Sequence, residues 1–157
     1  MTEIERKFLV RSDAWRNEVT EVLPIRQGYL STDKDCAVRV RRSGENAWLT
    51  IKGRPVNGAA PEFEYEIPVP EADAMLDTLA QKPLIEKKRH LVPHGGLPWE
   101  VDEFLGENTG LILAEIELTA PDQTIALPAW IGGEVTGNPR YYNANLVAAP
   151  FSTWAGE

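Results

Sequence analysis

Carboxylates and cations recur in this chain at a spacing of two, and that spacing decides which of them can act together. In Glu3-Ile4-Glu5-Arg6-Lys7, the residues Glu3, Glu5 and Lys7 alternate with Ile4 and Arg6. Alternate side chains of a β-strand point to opposite faces. Two carboxylates and an ammonium therefore share one face. Arg39 and Arg41 repeat the arrangement opposite Val38 and Val40, Thr50 and Lys52 oppose Leu49 and Ile51, and Lys87 pairs with Arg89. Glu62, Glu64 and Glu66 form an acidic set, as do Glu100 with Asp102 and Glu115 with Glu117. Carboxylate oxygens arranged this way suit hard divalent cations, and a ring of Arg and Lys suits a polyanion.

Alternation alone is also the mark of an ordinary sheet with one wet face. Clustering by kind separates the two readings. Acidic residues come as i, i+2 pairs on some strands and cations as i, i+2 pairs on others, whereas a merely wetted face mixes signs with Thr, Ser and Gln. Closing such a sheet with its charged face inward yields a polar tunnel.

The ordered set Glu3-x-Glu5-x-Lys7, Arg39-x-Arg41, Lys52, Glu62/Glu64/Glu66, Lys87-x-Arg89, Asp102 and Glu115-x-Glu117 resembles the CYTH family, the triphosphate tunnel metalloenzymes. The likeness runs from Glu3 to about Leu146. It implies a mainly β (α+β) fold: an antiparallel eight-stranded closed β-barrel with a charged interior and a few peripheral helices. It also implies a triphosphate-containing small molecule as ligand and Mg2+ or Mn2+ as cofactor. Known members are inorganic triphosphatases, thiamine triphosphatases and class IV adenylate cyclases, and the small bacterial members most similar to this chain are inorganic triphosphatases.

Phosphoanhydride hydrolysis depends mainly on charge neutralisation and in-line placement of a water. Lys7, Arg39, Arg41, Lys52, Lys87 and Arg89 are assigned to the phosphates, and Glu3, Glu5, Glu115 and Glu117 to the metal. Glu62, Glu64, Glu66 and Asp102 are left to a second ion or to pairing with the cations. Tyr29 is the candidate catalytic residue, as base or as water-positioning group; the alternative is a wall tyrosine that packs its ring. Arg6, Arg42 and Lys88 have the opposite parity and are expected outside. Arg26 is ambiguous, and Arg140 is either a further phosphate contact or a helix-start charge. Tyr142 stands where some family members carry lysine or serine, which leaves substrate length open. The expected activity is metal-dependent hydrolysis of tripolyphosphate. An adenylate cyclase, a thiamine triphosphatase and a non-catalytic polyphosphate-binding module are the alternatives.

The elements that must position these residues follow from turn signals and periodicity. Strands are expected near 3–10, 25–30, 37–42, 47–52, 62–69, 84–91, 98–104 and 110–118, with Ser43-Gly44-Glu45-Asn46 joining one hairpin. Ser12 is the expected N-cap of a short helix over 13–19. Ala72, Met75, Leu76 and Leu79 mark a helical stripe over 71–81, stopped by Pro83. Asn138-Pro139 opens a helix over 139–148. Residues 53–61 read as a loop at the tunnel mouth, 128–133 as a loop with an aromatic anchor, His90 and His94 as surface residues, and 151–157 as a loosely held tail. One domain over 1–150 accounts for the rest.

Composition limits the alternatives. The chain has 157 residues, 43% hydrophobic and 25% charged, an ordinary globular balance for one domain. Its net charge of −8 argues against a nucleic-acid surface. The single cysteine, Cys36, excludes an internal disulfide and a cysteine zinc site. Charged residues at the start and the lack of a ~20-residue apolar run point to a cytoplasmic protein with no membrane partner. A homodimer remains compatible with these features.

Overall fold

The computed structural model describes residues 4–54, 56, 60–120 and 122–154. Among these residues, nine strands form one antiparallel sheet: β1 Ile4–Val10, β2 Glu21–Asp33, β3 Cys36–Ser43, β4 Asn46–Gly53, β5 Glu62–Glu66, β6 Ile85–His94, β7 Leu97–Phe104, β8 Ile112–Leu118 and β9 Ile131–Glu134. Their order is β5-β4-β3-β2-β6-β7-β8-β1-β9. Among the described residues, two helices, α1 Val69–Thr78 and α2 Asn143–Ala148, accompany the sheet, together with short 3-10 turns. No described helix is long and apolar enough to cross a membrane.

The sheet is open, which corrects the expectation of a closed eight-stranded barrel. β9 accounts for the extra strand: Ile131 and Glu134 pair along the free edge of β1, where a loop was expected. Gly132 leaves room for the approach, since a side chain there would meet the Leu9 backbone oxygen at 3.1 Å. β5 forms the other edge and is exposed along its whole length. Charged side chains on an edge strand oppose pairing with another chain. The sheet nevertheless curls, because Glu64 of β5 and Glu100 of β7 line one cavity although four strands separate them in the order.

Period-two alternation sorts the faces as expected. Phe8, Val92, Trp99, Val101, Ala114 and Ile116 pack on the convex face under Trp15 and Trp130. His90 is buried there, corrected from a surface residue: its ring lies 4.8 Å from that of Trp15 and its Nε2 is 3.2 Å from Glu103. His94 is half-buried against Glu18, at 2.9 Å. Farther along the convex face, Ala72 and Leu76 of α1 pack with Val40 and Ala47. Gly28 permits that contact, because an added Cβ would come within 2.7 Å of Ala80 and 2.8 Å of Leu84.

The concave face is not charged throughout. Tyr29, Ile85, Phe104, Leu111 and Leu113 form an apolar layer with Leu146 and Val147 of α2. Residues 151–154 are held against the same layer, contrary to the loose tail expected over 151–157, whose last three residues lie outside the described ones. Phe151 and Trp154 pack there, Phe151 N–H donates to Asn108 Oδ1 at 2.8 Å, and the Arg140 guanidinium sits 3.8 Å from the Trp154 ring centre.

Candidate active site

Strand register carries the charged residues to the concave face. Across β2 and β3, Gln27 opposes Arg41 and Tyr29 opposes Arg39; across β6 and β7, Arg89 opposes Asp102. Glu100 opposes Glu115, which opposes Lys7, and Glu117 opposes Glu5. Directly opposed residues of an antiparallel ladder share a face. Inward parity therefore continues from β3 to β1.

At the centre lies Asp102, buried, with Lys87 Nζ at 2.8 Å and Arg89 in a bidentate contact at 2.8 and 2.9 Å. Burial alone would raise the Asp102 carboxyl, but Lys87 and Arg89 hold it well below the carboxylate range. Lys87, 1% exposed, is pushed down to about 8 by burial, against the attraction of Asp102 and with further lowering from Arg89 and Arg41. Arg41 is lowered to about 10 by burial and then by Arg39 and Arg89. Arg89 is raised, since Asp102, Glu100 and Glu115 outweigh its burial. Like charges crowded in this way leave a demand for anions.

Arg39, Arg41 and Arg89 line a cavity of about 230 Å3 with Glu64, Glu100, Trp48, Leu23 and Ile25. Lys7 of β1 lies on the same face but does not line the cavity; its Nζ is 3.3 Å from Glu115 and 5.4 Å from the Tyr142 ring centre. Lys52 is exposed on β4, opposite Glu62, and does not line the cavity. Arg6 and Arg42 face outward as expected but are not idle, pairing with Glu134 and Asp73, and Arg26, ambiguous in the sequence, pairs with Asp73 and Asp77 of α1. Lys88 is exposed. Arg140 lines a different, larger cavity of about 550 Å3 with Arg11, Tyr141 and Trp154. That cavity lacks the concentration of inward cations, so the smaller one is the candidate site.

The acidic wall lies beside the cations. Glu5 and Glu117 are exposed and in register, and Glu115 is half-buried next to Glu100. Glu3 lies outside the described residues. Among the described residues, no three acidic, His or Cys side chains gather closely enough to hold an ion alone. This donor set still fits Mg2+ or Mn2+, because hard oxygen ligands are present and such ions take few carboxylates plus phosphate oxygens and waters. The Glu100 carboxyl supports the fit. Burial raises it, and Asp102 and Glu115 add to that against Arg89, a crowding that a dication would relieve.

Three contributors escape a reading of charge patterns. Gln27 accepts from Arg41 Nε at 2.8 Å, Asn143 accepts from Lys87 Nζ at 3.3 Å, and Thr50 donates to Glu64 at 2.9 Å. Parity marks Gln27 and Thr50 as inward, but nothing local separates them from ordinary polar strand residues. Asn143 reaches the site only through the docking of α2.

Tyr29 is 8% exposed within the apolar layer capped by α2, and that environment favours packing over proton transfer. Tyr29→Phe is expected to keep turnover within about threefold of wild type, whereas losing a general base costs about 10²–10⁴-fold. An alkaline fall in kcat/KM should persist in this variant, since Lys87 loses its charge as pH rises through about 8. A hundredfold loss of turnover, or loss of that alkaline limb, would restore Tyr29 as the base.

Known proteins resemble this chain over nearly its whole length. A curated inorganic triphosphatase from Acetivibrio thermocellus is 50% identical over 152 residues, covering 97% of each chain. One from Nitrosomonas europaea is 37% identical over 152 residues, covering 93% of this chain and 97% of its own. A crystal structure of an inorganic triphosphatase, 33% identical, matches with a TM-score of 0.71 over 94% of this chain and 95% of its own. The CYTH domain profile spans residues 1–149, and the chain belongs to the CYTH domain family.

Proposed function

We propose that this chain hydrolyses inorganic tripolyphosphate to pyrophosphate and orthophosphate. The observation that carries the reading is the convergence of Arg39, Arg41, Lys87 and Arg89 on one concave face, with Arg39, Arg41 and Arg89 lining one cavity. The names of the relatives at 50% and 37% identity support the choice of substrate. Tripolyphosphate carries about four to five negative charges near neutral pH, a match for several guanidinium and ammonium groups in a partly water-excluded trough.

In this reading the cations hold the phosphate chain and draw charge from its oxygens. Arg41 and Arg89 are preorganised, the first by Gln27 and the second by Asp102, so little reorganisation accompanies reaction. The oxygen of a water bonds to a terminal phosphorus, the bond from that phosphorus to its bridging oxygen breaks, and pyrophosphate leaves with the bonding pair. Glu5, Glu115 and Glu117 would hold Mg2+ or Mn2+, with Glu3 as a fourth candidate; bound there, the ion supplies charge neutralisation at the phosphate oxygens. Thr50 and Glu64 buttress Arg39 at the β5 side, with Thr50 Oγ1 3.4 Å from the Arg39 guanidinium.

A phosphate-release panel tests the assignment: tripolyphosphate, ATP and thiamine triphosphate under Mg2+ and Mn2+, with cyclic AMP scored in parallel. The highest kcat/KM should belong to tripolyphosphate, with no cyclic AMP. Cyclic AMP from ATP, or no phosphate from tripolyphosphate under either ion, would overturn it.

A further inference from the structure

Gln27 is fully buried on the concave face, with Arg41 of β3 on one side and Ile85 of β6 on the other. Arg41 Nε donates to Gln27 Oε1 at 2.8 Å. A guanidinium accepts no hydrogen bonds, so this contact fixes the amide orientation and turns Nε2 away from Arg41. There Nε2 has no hydrogen-bond partner. A buried donor left unmade is costly, and each such group in a folded protein calls for an explanation.

The neighbourhood supplies one. A second buried donor, Arg39 Nε, is also unpartnered, and its residue faces Tyr29 across the same pair of strands. The carboxylates around the cations are already engaged: Asp102 by Lys87 and Arg89, Glu115 by Lys7 and Arg89, Glu100 by Arg89, and Glu64 by Thr50. Two orphan donors in a cluster of cations ask for an acceptor-rich group from outside. A phosphate chain offers several oxygens at once. Glutamine also meets a requirement that lysine does not, because it donates to the ligand while accepting from Arg41, without adding charge to a crowded cationic site.

We infer that Gln27 is a substrate-binding residue whose Nε2 donates to a non-bridging phosphate oxygen while its Oε1 holds the Arg41 guanidinium. This rests on the triphosphate reading above and adds a neutral contact to the charged set. The contact is a hydrogen bond to an ionised oxygen, so Gln27→Met should lower kcat/KM for tripolyphosphate by about tenfold to a hundredfold. Methionine keeps the length and volume of the side chain and removes both polar ends.

A double-mutant cycle separates direct contact from a role exercised through Arg41. The full chain is assayed with tripolyphosphate and saturating Mg2+ as wild type, Gln27→Met, Arg41→Ala and the double variant. Direct contact predicts a further loss of about tenfold when Gln27→Met is added to Arg41→Ala. No further loss would mean that Gln27 only orients Arg41, and would overturn the inference. Gln27→Glu is the second variant, serving also if Gln27→Met does not fold. It preserves the acceptor for Arg41 but replaces the N–H donor with a carboxylate oxygen facing the phosphates. Its kcat/KM should fall by at least as much as in Gln27→Met, and wild-type values would overturn the inference. A wild-type chain that releases no phosphate from tripolyphosphate would instead sink the triphosphate reading itself.

Discussion

Arg41→Ala is expected to lower kcat/KM for tripolyphosphate by about 10²–10³-fold, the usual loss on deleting one preorganised donor from a developing negative charge. Lys88→Ala is expected to leave it within about twofold, as for an exposed surface charge. The two variants change the net charge of −8 equally, so any difference reports position. Arg41 lines the cavity with Arg39 and Arg89, and Gln27 fixes its Nε. Burial, and then Arg39 and Arg89, together lower its guanidinium to about 10. That value still leaves Arg41 charged at neutral pH. Its charge is held in a poorly solvated place where a phosphate oxygen is the natural counterpart. Lys88 lies on the other parity of the same sheet, exposed and in register with Glu103. Steady-state kinetics on the two variants decide the matter. Equal losses would mean that bulk charge, not the concave face, governs binding.

The contrast between Arg41 and Lys88 was legible in the sequence because side-chain direction along a strand has a local period of two. Val40 and Arg41 had to face opposite ways once β3 was recognised. The same rule placed Lys87, Arg89, Asp102, Glu115 and Lys7 together without knowledge of strand order. It could not show where the charged part of the trough ends. Tyr29 shares its face with Arg39, yet packs in an apolar layer. That layer is completed by Leu146 and Val147, far away in sequence and placed there by α2. β9 escaped for a related reason: Ile131-Gly132-Gly133-Glu134 has weak strand character, and the edge of β1 supplies its pairing. His90 looked like a surface residue because its burial depends on Trp15, delivered by a 3-10 turn across β6. Local pattern therefore fixed which residues face inward, and long-range packing decided what each of them meets.

Withdrawal of divalent ions is expected to reduce turnover below about a thousandth of the supplemented rate, the scale of losing several kcal/mol of transition-state charge stabilisation. The acidic wall beside the cations sets this requirement. Glu5 faces Glu117, and Glu115 faces both Lys7 and Glu100. Lys7 and Arg89 contact Glu115 at 3.3 and 3.7 Å, so part of the cationic charge is already spent on this wall. A phosphate chain entering the trough would bring further negative charge against Glu5, Glu100 and Glu117. The raised carboxyl of Glu100, from burial and then from Asp102 and Glu115 against Arg89, shows that crowding before any substrate arrives. A dication on the wall reverses the sign of that encounter. Glu5→Gln and Glu117→Gln, which keep volume and remove a ligand charge, should each lower the rate strongly even at saturating Mg2+. Exhaustive chelation with verified metal removal, followed by readdition of Mg2+ or Mn2+, is the measurement. Recovery on readdition is the expected result. Turnover that persists in excess EDTA would leave the arginines and lysines acting alone and would remove the acidic wall from the reaction.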